Sequence, residues 1–200
     1  MPGPTLAMLD KYTCLEKLAA RRNEEVVISS MSVAMPWERL SDGPFDLAHV
    51  DTAMGHVADF AYGLAMAQPQ RRVIALCGDG STLMCLGTLV TIAQRPTENL
   101  TLVITENGTY EVTGNQPVPG AGEVNFAALA RAAGLRQVYT IENEADFEDK
   151  LPLHFQLPGP AVFVWKVARG DEPVPKPNRP ILERARRLKS ALAGASPIDS

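Results

Sequence analysis

Two short motifs carry side chains that are suited to binding a metal ion and a phosphate group. Residues 78–81 read Gly-Asp-Gly-Ser, and residues 106–109 read Glu-Asn-Gly-Thr. Each motif follows an apolar run that is typical of a buried strand. The carboxyl ends of neighbouring parallel strands lie side by side. We therefore expect Asp79 and Asn107 to meet at one edge of a sheet.

An acid and an amide beside a phosphate site favour Mg²⁺, which prefers six oxygen ligands in an octahedron. Asp79, Asn107 and one backbone carbonyl would supply three oxygens, and two diphosphate oxygens with one water would supply the rest. The first motif also opens a predicted helix, whose N-terminal N–H groups suit a phosphate. Either motif alone is as well explained by a surface turn or a hairpin turn, but the pair favours a magnesium–diphosphate site.

The same two motifs resemble the metal- and diphosphate-binding motif of thiamine-diphosphate-dependent enzymes. The resemblance runs from about residue 24 to residue 169 and covers the diphosphate-binding (PP) domain of that family. Residues 78–87 and 114–117 resemble in particular the β subunit of sulfopyruvate decarboxylase and the C-terminal half of phosphonopyruvate decarboxylase. The motif pair is specific for the cofactor and only weakly informative about the substrate.

The resemblance implies that thiamine diphosphate and Mg²⁺ are the cofactors. It assigns the metal to the Asp79 and Asn107 side chains and to the backbone carbonyl of Thr109. The family usually has Asn-Asn where this chain has Glu106-Asn107; the second residue is the ligand, so the metal site is retained. The expected cofactor contacts of the two motifs are Gly78, Asp79, Gly80, Ser81, Asn107 and Thr109.

Two further positions are implied by the family. Met54 matches an apolar residue that holds the cofactor in a bent shape, and Thr52 matches a backbone carbonyl that accepts from its 4′-amino group. A buried Met is also a common core residue. Ser30 and Ser32 follow the first predicted strand together with Ser29, where they either contact the diphosphate or simply form a turn.

Several residues are candidates for contact with a substrate. His49 and His56 flank the Met54 stretch, although a single histidine is more often structural. Glu111 resembles the pattern of phosphonopyruvate decarboxylases and is equally well explained as an exposed helix acid. Thr113 stands where related pyruvate decarboxylases carry a glutamate, which disfavours a pyruvate decarboxylase site. The catalytic candidates are Met54, Thr52, Glu111 and His56.

A partner subunit is also implied by the family. The glutamate that hydrogen-bonds the pyrimidine N1′ of the cofactor lies in a separate pyrimidine-binding (Pyr) domain, for which 200 residues leave no room. We therefore expect a Pyr-domain α subunit, an assembly of α2β2 or larger, and decarboxylation of a small 2-oxo acid. The alternatives are an acetolactate-synthase-like carboligase subunit, a 2-oxoacid oxidoreductase β subunit, and a non-catalytic cofactor-binding subunit.

The composition of the chain argues against several other classes of function. A net charge of −4 without a basic stripe disfavours nucleic-acid binding. Three cysteines without metal-ligand spacing fit a reducing compartment. Neither a signal peptide nor an apolar run of membrane-spanning length is evident. We expect a cytoplasmic protein that does not enter membranes.

Strands and helices alternate along the chain, which predicts an α/β, three-layer fold with a mostly parallel central sheet and helices on both faces. The PP domain is expected over residues 1–169, followed by a Pro-rich strap and C-terminal helix over 170–200. Predicted strands cover 25–29, 45–50, 72–77, 100–105, 137–141 and 161–167. Predicted helices cover 5–22, 36–40, 53–67, 81–94, 126–133, 144–156 and 181–192.

Overall fold

Six parallel strands form the central sheet of the computed structural model, which describes residues 8–29, 31–48, 54–170 and 180–194. Their order across the sheet is β2-β1-β3-β4-β8-β7, and every neighbouring pair is parallel. A two-stranded antiparallel hairpin, β5–β6, follows β4. The strands are β1 Val26–Ser29, β2 Asp46–Ala48, β3 Val73–Gly78, β4 Leu100–Glu106, β5 Thr109–Tyr110, β6 Gln116–Pro117, β7 Gln137–Ile141 and β8 Ala161–Lys166.

Helices cover both faces of this sheet, and this confirms the predicted three-layer α/β class. Successive residues of a strand point to opposite faces, so Ile104 of β4 packs into one core and Val103 into the other. The first core includes residues of α3, α5, α6 and α9, and the second includes residues of α1, α2 and α7. The helices are α1 Lys11–Arg21, α2 Met31–Leu40, α3 Val57–Ala67, α4 Asp79–Met84, α5 Gly87–Gln94, α6 Phe126–Ala132, α7 Glu144–Lys150, α8 Leu153–Gln156 and α9 Ile181–Gly194.

Two long helices of the sequence prediction are each divided in the structure. The predicted helix 81–94 begins earlier, at Asp79, and is interrupted at Cys85 and Leu86 between α4 and α5. The predicted helix 144–156 is interrupted before α8, where Pro152 lacks the N–H that would continue the helical ladder. The first break places Cys85 at a corner beside the first motif.

The start of the chain also differs from its prediction. Asp10 caps α1 by accepting from the Thr13 N–H at 2.7 Å, so the helix begins at Lys11. Leu9, just before this cap, lies in a β-bridge with Val167 instead of a helical turn. The predicted residues 5–7 lie outside the described part of the chain.

The C-terminal helix α9 packs beside β2. Leu188 is buried in the first core, and Arg184 forms a buried ion pair with Glu38 of α2. Arg187 pairs with Asp42 at 2.9 Å. Residues 180–194 are therefore tied to the same body as the sheet. Within the described ranges, no helix has both the length and the apolar character needed to cross a bilayer.

Candidate functional site

The two sequence motifs meet at the carboxyl ends of β3 and β4. The strands are adjacent, with Gly78 beside Thr105 in the ladder. Asp79 then accepts the backbone N–H of Asn107 at 3.1 Å and of Gly108 at 2.7 Å through the same carboxylate oxygen, Oδ2. Its other oxygen accepts the Gly80 N–H at 2.7 Å. The expected meeting of Asp79 and Asn107 is therefore present, and hydrogen bonds of the acid itself hold the motifs together.

The Asp79 carboxylate is buried, with 2% of the residue exposed. Burial raises the pKa of Asp79 above its ordinary value, and the charge of Glu106 raises it further, while the backbone N–H donors act in the opposite direction. No salt bridge to Asp79 is found among the described residues. Nearby, the Oε1 atom of Glu106 forms a salt bridge with Lys166. Among the described residues, the buried Oε2 atom of Glu106 has no hydrogen-bond partner. This concentration of buried negative charge fits a divalent cation.

Oxygen atoms of the second motif are fixed beside Asp79. The Asn107 side-chain oxygen accepts the Thr109 N–H at 2.9 Å, and an amide oxygen has a second lone pair for a metal. Thr109 is held in turn by its hydroxyl, which donates to Asn115 at 3.0 Å. Gly108 has a φ of 77°, a left-handed conformation that favours glycine. The donor set suits a hard cation such as Mg²⁺.

A cleft of about 210 Å³ opens beside these groups. It has an apolar wall that includes Met54, which is 49% exposed. Of the residues predicted from the sequence, the lining contains Ser32, Met54, Gly78, Asp79, Gly80, Ser81, Thr109 and Glu111. The cleft is therefore built from both motifs, the start of α2 and the Met54 turn.

Three other predicted positions cannot be placed, and two described ones, Asn107 and His56, are not part of the lining. Ser30, His49 and Thr52 fall outside the described residues. His56 is described but is not among the residues that line the cleft. Its Nδ1 contacts the Asp59 carboxylate, and its side chain is 61% exposed. The structure thus separates His56 from the group of residues that surrounds Asp79.

Sequence reasoning missed part of the lining. Met31, Met84 and Val112 all face the cleft. Met84 lies three residues after Ser81 on the same helix, so helical spacing predicts that both share a face. Met31 adjoins Ser32 and has a φ of 55°, unusual for a residue with a side chain. No pattern in the sequence indicates that conformation.

The sequence allowed two interpretations of Glu111, and the structure rules out the one in which it is an exposed acid on a helix. Its side chain is 4% exposed and forms an ion pair with Lys11 of α1, and it accepts the Gly170 N–H at 2.8 Å. Burial alone would raise the pKa of Glu111, but Lys11, the Gly170 N–H and the Ser32 hydroxyl together hold it below its ordinary value. Glu111 is therefore an ionised group fixed at the cleft wall.

The three cysteines do not lie together in one site. Cys14 and Cys77 are buried in the two different cores, and burial raises the pKa of each thiol to about 12. The sequence also predicts that Cys85, inside the predicted helix 81–94, is a small core residue. Cys85 is instead half-buried at the corner between α4 and α5, so that prediction is wrong. Burial and the charge of Asp59 raise the pKa of the Cys85 thiol as well. None of the three thiols has the lowered pKa of a nucleophilic cysteine.

Comparison with known proteins identifies relatives that share this architecture. Residues 30–164 match the family model described as "Thiamine pyrophosphate enzyme, C-terminal TPP binding domain". The chain is 30% identical over 190 residues to sulfopyruvate decarboxylase subunit beta of Methanothermobacter thermautotrophicus, covering 94% of this chain and 98% of that subunit. It is also 30% identical over 192 residues to phosphonopyruvate decarboxylase of Streptomyces viridochromogenes, covering 94% of this chain and 48% of that protein.

Among solved structures, the thiamine diphosphate-dependent 4-hydroxybenzoylformate decarboxylase of Rhodococcus jostii RHA1 has the same fold, with a TM-score of 0.69 and 22% identity. The alignment covers 86% of this chain and 35% of that one. The chain thus spans about half of the phosphonopyruvate decarboxylase and about a third of this structure. Together, the family model and the 30%-identical relatives show that this chain belongs to the thiamine pyrophosphate enzymes, as a member with their C-terminal TPP-binding domain.

Proposed function

We propose that this chain is the diphosphate- and magnesium-binding subunit of a two-subunit, thiamine-diphosphate-dependent 2-oxo acid decarboxylase of the sulfopyruvate or phosphonopyruvate type. The main support is the buried Asp79 carboxylate, which joins both motifs inside the segment that the family model matches. The full-length similarity to a sulfopyruvate decarboxylase β subunit supports the subunit role.

The residues at the strand ends suit the two cofactors. Asp79 and Asn107 would hold Mg²⁺ through their side chains, and Thr109 through its backbone carbonyl. Gly78, Gly80 and Ser81 would receive the diphosphate at the start of α4, whose N–H groups favour an anion. When bound, thiamine diphosphate supplies an electron sink for the carbon centre that loses carbon dioxide.

The apolar wall of the cleft has a positioning role in this proposal. Met54 would support the bent cofactor, with Met31 and Met84 excluding water beside it. Tyr110 lies directly over Gly80, whose missing side chain permits that approach. Thr52 and Ser30, which are outside the described residues, are proposed to add a backbone carbonyl and a hydroxyl. Glu111, the first residue of a short 3₁₀ helix over Glu111–Thr113, is proposed to fix the start of that helix at the cleft in its ionised form.

A Pyr-domain α subunit is proposed to complete the site and to supply the glutamate at N1′. The exposed apolar residues Met54, Met84 and Val112 at the cleft are the kind of surface that a partner covers. We propose an α2β2 or larger assembly, because two subunits that share a site form symmetric pairs. The three free cysteines support a reducing, cytoplasmic setting.

The decisive experiment is reconstitution with a Pyr-domain subunit, sought in a neighbouring open reading frame of that size. The full chain alone should release no carbon dioxide from a panel of 2-oxo acids with sulfonate, phosphonate, carboxylate or apolar side groups. Addition of the partner, thiamine diphosphate and Mg²⁺ should start the release. Full activity of the chain without a partner detectable by mass spectrometry would contradict the two-subunit proposal.

The same assay separates the remaining alternatives. A carboligase would give a product with a new carbon–carbon bond, and an oxidoreductase would reduce ferredoxin. A non-catalytic subunit would bind cofactor without turnover in any mixture. The buried and separated Cys14 and Cys77 argue against an iron–sulfur cluster held by this chain alone.

A further inference from the structure

Three potential metal ligands lie together where the start of α3 meets the corner between α4 and α5. The side chains of His56, Asp59 and Cys85 each place one ligand atom within 4.8 Å of the other two. The Cys85 Sγ is 3.4 Å from the His56 Nδ1, and the Asp59 carboxylate contacts the same nitrogen. None of the three residues lines the cofactor cleft.

We propose that His56, Asp59 and Cys85 form a zinc site that is distinct from the magnesium–diphosphate site. Imidazole, thiolate and carboxylate are the ligand types of protein-bound Zn²⁺, whereas Mg²⁺ takes oxygen ligands. In a tetrahedral site with ordinary Zn–S and Zn–N bonds, the sulfur and nitrogen lie about 3.6 Å apart. The Cys85 Sγ lies 3.4 Å from the His56 Nδ1 and 3.5 Å from its Nε2, both close to that separation, so either ring nitrogen can serve as the ligand after the imidazole turns towards the ion.

The side chains of the cluster are free to adjust to an ion. His56 and Asp59 are 61% and 37% exposed, so their direct contact can open without disturbing the core. Cys85 loses its proton on binding, and the proton goes to solvent. Three protein ligands leave a fourth position for water or a group of the partner subunit.

An outer contact orients one of the ligands. The Thr88 hydroxyl donates a hydrogen bond to Oδ1 of Asp59, and this leaves Oδ2 directed at His56. Hydrogen bonds of this kind fix the direction of metal ligands in proteins. Thr88 lies in the first turn of α5, so the break before α5 brings both Cys85 and Thr88 to the cluster.

The site would connect two segments that shape the cofactor cleft. Gly55 packs so closely on the end of α4 that an added Cβ would lie 2.8 Å from the Met84 Cβ and 2.9 Å from the Cys85 Sγ. Met54 precedes this glycine, and His56 follows it. A metal bridge from His56 to Cys85 would therefore fasten the Met54 turn to the helix that begins at Asp79.

Zinc binding to the full chain tests this proposal. The chelator-treated, reduced chain should be saturated with thiamine diphosphate and excess Mg²⁺, then dialysed against Zn²⁺ and analysed for bound metal. One equivalent of Zn²⁺ is expected, and Zn²⁺ should raise the melting temperature. Co²⁺ in its place should give the near-ultraviolet absorption of a cobalt–thiolate bond.

Matched variants assign the site. Cys85→Ser and Asp59→Asn should each weaken zinc binding by more than about 100-fold, and Thr88→Val by roughly 10–100-fold. Asp149→Asn changes an acid whose side chain is 80% exposed, and it should leave zinc binding unchanged. Asp79→Asn should also retain zinc, so a failure of the proposed cofactor site is distinguishable from a failure here. Absence of bound zinc in the unmodified chain, or equal retention by Cys85→Ser, would overturn the proposal.

Discussion

The Asp79 carboxylate and the Gly108 N–H form a 2.7 Å hydrogen bond that joins the end of β3 to the loop after β4. The same acid also accepts from Asn107 and Gly80, so it organises the loop before any ligand binds. A residue proposed to bind metal therefore has a second, structural role. Substitutions at this position have to separate the charge from the hydrogen-bond acceptors.

Asp79→Asn comes closest to that separation, because it removes the charge and its amide oxygen can still accept from Asn107 and Gly108 in place of Oδ2, although its NH2 group replaces the oxygen that accepts the Gly80 N–H. We expect Mg²⁺-dependent affinity for thiamine diphosphate to fall by about 10- to 100-fold, the effect of losing one charged contact. Titration calorimetry of the assembled protein measures this, with Asp149→Asn as the exposed control. Unchanged affinity in Asp79→Asn would remove the metal assignment.

Asp79→Ala should differ from Asp79→Asn in stability. It leaves three backbone N–H groups without their acceptor, which should lower the free energy of unfolding by about 1–3 kcal/mol beyond the effect of the amide. Urea unfolding of the two variants gives this difference. Equal stability would show that water replaces the carboxylate in the loop.

Much of the proposed cofactor site could be predicted from local sequence. The apolar runs before the two motifs became β3 and β4, and the parallel pairing brought Asp79 to Asn107. The contact of Asp79 with Asn107 is predictable because each motif follows a strand, and the carboxyl ends of neighbouring strands meet at one edge of an α/β sheet. The place of Met84 in the cleft could also have been predicted, because Met84 follows Ser81 at helical spacing.

Other features depend on contacts between distant segments. The ion pair of Lys11 with Glu111 joins residues that are 100 positions apart, and no local pattern indicates it. The break between α4 and α5 covers Cys85 and Leu86 and is followed by Gly87, and because a single glycine inside an apolar helical pattern is tolerated, the sequence resembles a continuous helix. That break is set by tertiary packing, and it is also what brings Cys85 towards His56.

Met54→Ala should reduce turnover more than cofactor retention. The diphosphate and metal contacts remain, but the cleft wall that supports the cofactor is lost, and misplaced reacting groups can slow catalysis by about 100-fold. Steady-state rates and cofactor affinity of the reconstituted enzyme give the two effects. Met66→Ala, at a 44% exposed methionine away from the cleft, is the matched control. Equal losses of rate and affinity would indicate a packing role for Met54.

Lys11→Met should destabilise the fold through Glu111. The side chains of the pair are 12% and 4% exposed, so removal of the cation leaves a buried charge without its partner, at a cost of about 3–5 kcal/mol. Chemical unfolding measures the loss, and the double variant Lys11→Met with Glu111→Gln should recover part of it. Lys150→Met, in the more exposed pair with Asp146, should have a much smaller effect. No recovery in the double variant would rule out a direct coupling.

His154 should make stability depend on pH in the acid range. It is fully buried, accepts the Trp165 N–H at 3.1 Å and stacks on Phe163. Burial lowers its pKa to about 4. The unfolded chain, with an ordinary pKa of about 6.5, therefore takes up the proton first as the pH falls.

The contribution of His154 is complete above about pH 6.5 and is lost progressively towards pH 4, by about 3 kcal/mol in total. Urea unfolding across this range in metal-free buffer should show a shallower pH dependence for His154→Gln. Met66→Ala, at a 44% exposed residue without a titratable group, should retain the dependence of the unmodified chain. Parallel curves for the unmodified chain and His154→Gln would contradict this account.

Gly80→Ala should obstruct the proposed diphosphate site, because the added methyl group would displace the Tyr110 ring. A Cβ at this position would lie 2.7 Å from the Tyr110 Cδ1 and overlap the neighbouring ring carbon, so the ring has to move. We expect the fold to survive and the affinity for thiamine diphosphate to fall. Gly63→Ala, in α3 with open space around it, should instead stabilise the protein by about 0.5–1 kcal/mol.

Removal of the Tyr110 ring tests the cause of that loss. In a Tyr110→Ala background the added methyl group has no ring to displace, so Gly80→Ala should then change cofactor affinity far less. The four proteins form a double-mutant cycle, in which direct contact gives a coupling energy of about 0.5–3 kcal/mol. Additive effects would place the damage in the α4 backbone, and the close approach of Tyr110 to Gly80 would then have no part in cofactor binding.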